Sequence, residues 1–118
     1  MPDVTIDPDR HPGLCYRIDA FVVPDAARAE LEATMRRNMA FIRTLEGFHG
    51  HVVFVKRSGA SAFNLVTIAT WESQDAIERA GAEVRAYYQR IGFDMPAALQ
   101  RWGVELVRAD YDAPADLQ

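Results

Sequence analysis

The chain has 118 residues, of which 49% are hydrophobic and 25% charged, with a formal net charge of -4. That length suits one domain able to bury a core without metals or disulfides, and the lone Cys15 excludes an intramolecular disulfide and fits a reducing compartment. The acidic balance and the lack of a basic tract argue against nucleic acid or an anionic membrane surface as partner. With no cationic segment leading into an apolar run, and no apolar stretch near ~18 residues, the expectation is a cytoplasmic protein without signal peptide or membrane span.

Residues 1–14 carry acids, prolines and a glycine without periodicity and read as an irregular arm. From 15 to 23 the residues are mostly β-formers, closed by Pro24, which predicts a strand. Asp25 then stands where an N-cap belongs, and Leu31, Met35, Ile42 and Leu45 trace one face of a helix over 25–45 that Gly47 would stop. Residues 51–57 and 63–71 form two further strands around the turn Ser58-Gly59-Ala60-Ser61. Ser73 caps a second helix whose buried face carries Ile77, Ala80, Val84, Tyr88 and Ile91, and Gly92 and Pro96 break it. A short helical turn at 97–102, a last strand at 104–111 and a polar tail at 112–118 complete the chain.

The order is βαββαβ, the α+β arrangement of ferredoxin-like folds with a four-stranded antiparallel sheet. Two helices cover one face of such a sheet, so the other should be polar, yet Val66 and Ile68 oppose Leu65 and Thr67, and Val52-Val53-Phe54-Val55 is apolar on both faces. A second copy packed sheet to sheet resolves this, so a homodimer is expected.

Several polar residues interrupt apolar patterns. Asp19 lies mid-strand between Ile18 and Ala20; burial would suit it to general-base work, and an ion pair with Arg17 is the plainer alternative. Asn38 breaks the apolar stripe of the first helix and either satisfies a backbone group or points into a cavity. His49 and His51, one residue apart, could share a face; without a Cys or carboxylate cluster beside them a base or hydrogen-bond donor is the better expectation than a metal site. Tyr88 offers its hydroxyl to a ligand oxygen or serves as core, while Phe93 and Trp102 are packing residues. No Gly-rich phosphate loop, Gly-x-Ser-x-Gly or CxxC is present, and Cys15 reads as inert packing.

The runs Phe41-Ile42-Arg43-Thr44-Leu45-Glu46-Gly47-Phe48, Ala69-Thr70-Trp71-Glu72-Ser73-Gln74-Asp75-Ala76 and Gly103-Val104-Glu105 leading to Tyr111 resemble the antibiotic biosynthesis monooxygenase superfamily across about residues 15–111. The resemblance implies a dimeric α/β barrel with a ligand pocket between each sheet and its own helices, and makes Trp71 a wall of that pocket. One group of the family oxidises aromatic polyketides or quinols with molecular oxygen and no cofactor; another binds and degrades haem. Four residues before Trp71 the polyketide group has an asparagine where this chain has Thr67, and six after it a tyrosine where this chain has Ile77. Where the haem group has its proximal histidine this chain has Ala80 or Gly81, and the polar asparagine of that group's first strand falls at Asp19.

The leading expectation is a cofactor-independent monooxygenase acting on a small aromatic, phenolic or quinol-like substrate with molecular oxygen, with no metal. Asp19 or His51 would be the base beside Trp71, and Thr67, Asn38 and Tyr88 would bind substrate. A ligand-binding or stress-response barrel without catalysis is the alternative, and haem binding ranks third.

Overall fold

In the computed structural model, which describes residues 7, 8 and 10–118, the chain runs β1 (Cys15–Val22), α1 (Arg28–Ile42), β2 (Phe48–Val55), β3 (Leu65–Trp71), α2 (Gln74–Ile91), α3 (Met95–Trp102) and β4 (Glu105–Tyr111). The four strands form one antiparallel sheet in the order β2-β3-β1-β4, the ferredoxin-like topology expected from the element order. Residues 1–6 and 9 of the arm expected at 1–14 lie outside the described residues.

Several boundaries differ from expectation, each for a local reason. Pro24, held at φ -62°, starts a single 3₁₀ turn at Asp25–Ala27, so Asp25 sits inside that turn and caps nothing; α1 begins only at Arg28 and ends at Ile42. β2 starts earlier than expected, at Phe48, because a bulge between Phe48 and Gly50 lets the chain join β3 before His51. Pro96 does not break structure: it lies in the first turn of α3, where its missing N–H costs nothing, and Asp94 caps that helix by accepting from the Ala97 N–H at 3.0 Å. Ser73 caps α2 as expected, accepting from the Ala76 N–H at 3.0 Å, and Gly92 ends it at φ 67°. Ile91, read as part of the buried face of α2, is exposed at the helix end.

The helix-facing side of the sheet is built in cross-strand rows. At one end Val55, Leu65, Phe21 and Leu106 stand in line, and the last three join Val23, Ala27, Leu31 and Val104 in a sealed cluster. At the other end Trp71 packs with Ala76, Ile77 and Ala80, flanked by Phe48, Ile42 and Leu45. Between these clusters lie two rows that are largely polar: Val53, Thr67, Asp19 and Arg108, then His51, Ala69, Arg17 and Asp110. The opposite side of the sheet carries Ile18, Ala20, Val52, Phe54, Val66, Ile68, Val107 and Ala109 with no charge in these central rows; Phe54 and Val107 are about half exposed, at 49% and 51%.

Gly47 ties the start of β2 to the start of α2. Its φ is +85°, its carbonyl accepts from the Glu72 N–H at 2.8 Å, and a Cβ there would stand 2.6 Å from the fully buried Cβ of Ala76. Gly47→Ala is therefore expected to cost about 2–4 kcal/mol, the left-handed backbone and the overpacking both contributing, as read by urea denaturation. An unchanged midpoint would mean that α2 has room to retreat.

Candidate functional site

A cavity of about 270 Å³ opens between the two apolar clusters, above the polar rows and beneath α1 and α2. Its floor is charged but matched. Arg17 donates through Nε and Nη2 to the two carboxylate oxygens of Asp110, at 2.8 and 3.1 Å. Arg108 does the same to Asp19, at 2.7 and 2.9 Å. The ion pair anticipated for Asp19 thus exists, but its partner is the residue directly across on β4 and not Arg17, which turns to its own cross-strand neighbour. The bond to Asp19 raises the Arg108 pKa, and the bond from Arg17 holds Asp110 below the usual carboxylate range.

Four polar side chains at the cavity carry no hydrogen bond among the described residues: His51, Thr67, Arg85 and, through its indole N–H, Trp71. Thr67 and Trp71 are each 5% exposed. The one sealed side-chain polar atom without a partner among the described residues is the Tyr16 hydroxyl, on the other face of the sheet, so the Thr67 hydroxyl and the Trp71 N–H open into the cavity. Trp71 is steadied edge-on against Phe48, with ring centroids 5.3 Å apart. Burial lowers the His51 pKa, Arg43 lowers it further and Asp19 partly opposes them, so the imidazole is neutral near pH 7. His49 is exposed and does not line the cavity, so the two histidines do not act as a pair.

Asn38 is buried at 6% exposure and reaches across from α1 to α2, its Nδ2 donating to the Tyr88 hydroxyl at 3.1 Å. Its Oδ1 accepts from Nε and Nη2 of Arg37, at 3.2 and 3.1 Å. The Arg37 guanidinium lies 4.5 Å from the centroid of Phe93, which packs edge-on against Tyr88 at 5.0 Å. Burial raises the Tyr88 pKa, with Arg108 and Arg37 opposing, and the phenol stays protonated near pH 7. Phe93 is packing for this network, while Trp102 packs on the sealed cluster and donates its indole N–H to Glu30.

Asp19, His51, Thr67, Trp71 and Tyr88 therefore surround one cavity, and Asn38 touches it through Tyr88. Sequence reasoning did not single out Arg108, Arg85 and Met95, which also line it, nor Arg37 behind Asn38. Arg108 had a signal, a charge in the middle of the last strand two residues from Leu106 on the same face, but its meaning depends on the register with Asp19. Among the described residues no three His, Cys, Asp or Glu side chains converge as a metal site would require, and no helix is long and apolar enough to cross a membrane.

No family model matches the chain, and no curated protein does. Solved structures do. A candidate monooxygenase from Shewanella loihica PV-4 superposes with a TM-score of 0.67 at 16% identity, over 86% of this chain and 95% of that one. SnoaB, a cofactor-independent oxygenase from Streptomyces nogalater, gives a TM-score of 0.63 at 24% identity, over 86% and 94%. A point mutant of MhuD, solved with two manganese protoporphyrin IX molecules bound per active site, gives 0.63 at 20% identity, over 88% and 98%. The chain therefore shares the ferredoxin-like α+β fold of these structures.

Proposed function

We propose that the protein is a cofactor-independent monooxygenase that oxidises a small aromatic, phenolic or quinol-like substrate with molecular oxygen. The observation that carries this reading is a cavity with apolar walls into which Trp71, Thr67, His51 and Tyr88 bring polar groups. Its volume, about 270 Å³, lies just under the roughly 300–1,000 Å³ of small-molecule pockets and suits a compact substrate. Arg17 and Arg108 are matched by Asp110 and Asp19, and Arg85, without an ion pair among the described residues, leaves one positive charge in excess in a chain whose net charge is -4, so the site favours an anion over its surroundings.

Neutral His51 takes the substrate proton; Asp19 is the weaker candidate for base because both its oxygens are held by Arg108. The resulting carbanion or phenolate is held by the donors and passes electrons to dioxygen. A carbon–oxygen bond forms and the distal oxygen takes the proton from His51. When the second proton leaves that carbon the oxygen–oxygen bond breaks, water departs and a carbonyl remains. One atom of dioxygen ends in the product and one in water, and the substrate supplies every electron. At the positions on α2 where the resemblance looks for a haem ligand this chain has Ala80 and Gly81, whose side chains have no atom able to bind iron.

Oxygen uptake with a panel of quinols and anthrones, in the presence of a chelator, tests the reading. Uptake matched to product is expected, and His51→Gln should lower kcat/KM by roughly 10²–10⁴. Because burial depresses the His51 pKa, the acid limb of kcat/KM should fall below the 6.5 of an ordinary imidazole, with activity lost as pH drops through it. Binding of these aromatics without uptake would favour the non-catalytic barrel instead. Trp71→Phe should weaken binding of the same aromatics while costing less than the roughly 3–5 kcal/mol of a large-to-small core truncation; a drop in melting temperature with binding unchanged would make Trp71 packing alone.

The homodimer belongs to the same proposal. An uncharged apolar sheet face is self-complementary, as a two-fold interface requires. Light scattering should give about twice 13.3 kDa. Phe54→Lys, a change at a residue half exposed in one chain, should yield a folded monomer. A monomeric parent protein would remove this part of the reading.

A further inference from the structure

The hydrogen bonds of Arg37, Asn38 and Tyr88 run in one direction, and that direction restricts what can be bound. A guanidinium has donors and no acceptor, so the group facing Arg37 has to be the oxygen of the Asn38 amide. The orientation of that amide, often ambiguous, is settled by chemistry alone. Its NH₂ must then face Tyr88 and donate to the phenolic oxygen, as the 3.1 Å contact records. With that oxygen accepting from Asn38, the Tyr88 proton is left to serve another acceptor. Among the described residues it has none: its cationic neighbour Arg108 can only donate, and both oxygens of Asp19 are engaged by Arg108.

We infer that Arg37, through Asn38, fixes Tyr88 as an outward donor, so that the cavity selects a ligand presenting an acceptor oxygen, a phenolate, enolate or quinone carbonyl, to the Tyr88 hydroxyl. The Trp71 N–H is likewise a donor without a partner, so the site offers donors from two sides. Arg37 and Asn38 are positioning residues and Tyr88 is the one that touches the ligand. The inference rests on the proposed role of this cavity as the substrate site and not on the oxygen chemistry.

The test compares para-nitrophenolate with para-nitroaniline, two probes of nearly equal shape whose tips differ in that one accepts and the other donates. Binding is followed without oxygen by the shift of the probe's absorption, at a pH where the phenol is ionised. Tyr88→Phe should weaken phenolate binding roughly tenfold, the loss of one hydrogen bond to a charged group, and leave the aniline unchanged. Asn38→Asp keeps the shape and the Arg37 contact but gives Tyr88 a carboxylate to donate to, turning its proton away from the cavity. That change should cost the phenolate about as much as Tyr88→Phe does, and should cost little more when made in the Tyr88→Phe background. Equal losses in both backgrounds would mean simple charge repulsion and would overturn the inference.

If Asn38→Asp does not fold, Arg37 provides the independent check. Arg37→Met frees the amide to turn over and should narrow the phenolate preference, and Arg37→Lys, which also only donates, should restore it. A preference untouched by Arg37→Met overturns the inference. Failure of both probes to bind the unsubstituted protein would sink the substrate-site reading itself, whereas binding without a Tyr88-dependent preference sinks this inference alone.

Discussion

Two bidentate ion pairs, Arg17–Asp110 and Asp19–Arg108, cross from β1 to β4 on the side of the sheet that faces the helices. Charges in that position are tolerated because each has a hydrogen-bonded partner, but an apolar helix face closed over them would add desolvation that the pairing does not recover. The helices therefore seal the sheet only where its rows are apolar, through Phe21, Leu65 and Leu106 at one end and Trp71 at the other. The space between is the cavity, and the site follows from where the charges sit along two strands.

The two faces of the sheet divide the work unusually. The helix-covered face, normally the dry core, holds the matched charges and the unpartnered polar groups that line the cavity. The face without helices is apolar and uncharged through its central rows, with Phe54 and Val107 about half exposed. The polar face toward the cavity and the apolar face away from the helices are the same alternation read on opposite sides of each strand. A one-residue slip of β1 would exchange them and destroy both.

Much of this was legible from residues in order. Ser73, Gly92 and the β-rich runs place the elements, Asn38, His51 and Tyr88 stand out as polar groups within apolar patterns, Thr67 stands out through the resemblance, four residues before Trp71, and all are gathered around one cavity. What stayed hidden depends on partners distant in sequence. Asp19 was weighed against Arg17, two residues away, because the register that sets it opposite Arg108 cannot be read from either strand alone. Arg37 carries no signal in the sequence, because its contact with the Asn38 amide exists only in the folded geometry. The start of α1 differs from expectation because Asp25 lies inside a 3₁₀ turn and does not cap the helix, and that of α3 because Pro96, expected as a breaker, lies in its first turn.

The central claim is that the substrate itself reduces dioxygen inside this cavity. Turnover of a quinol or anthrone under isotope-labelled molecular oxygen, followed by mass spectrometry of the product, tests it most directly. The account predicts one labelled oxygen atom in each product molecule, independent of added metal or flavin and lost in the His51→Gln variant. A product whose new oxygen comes from water, or labelled product formed only when a metal or flavin is supplied, would contradict it.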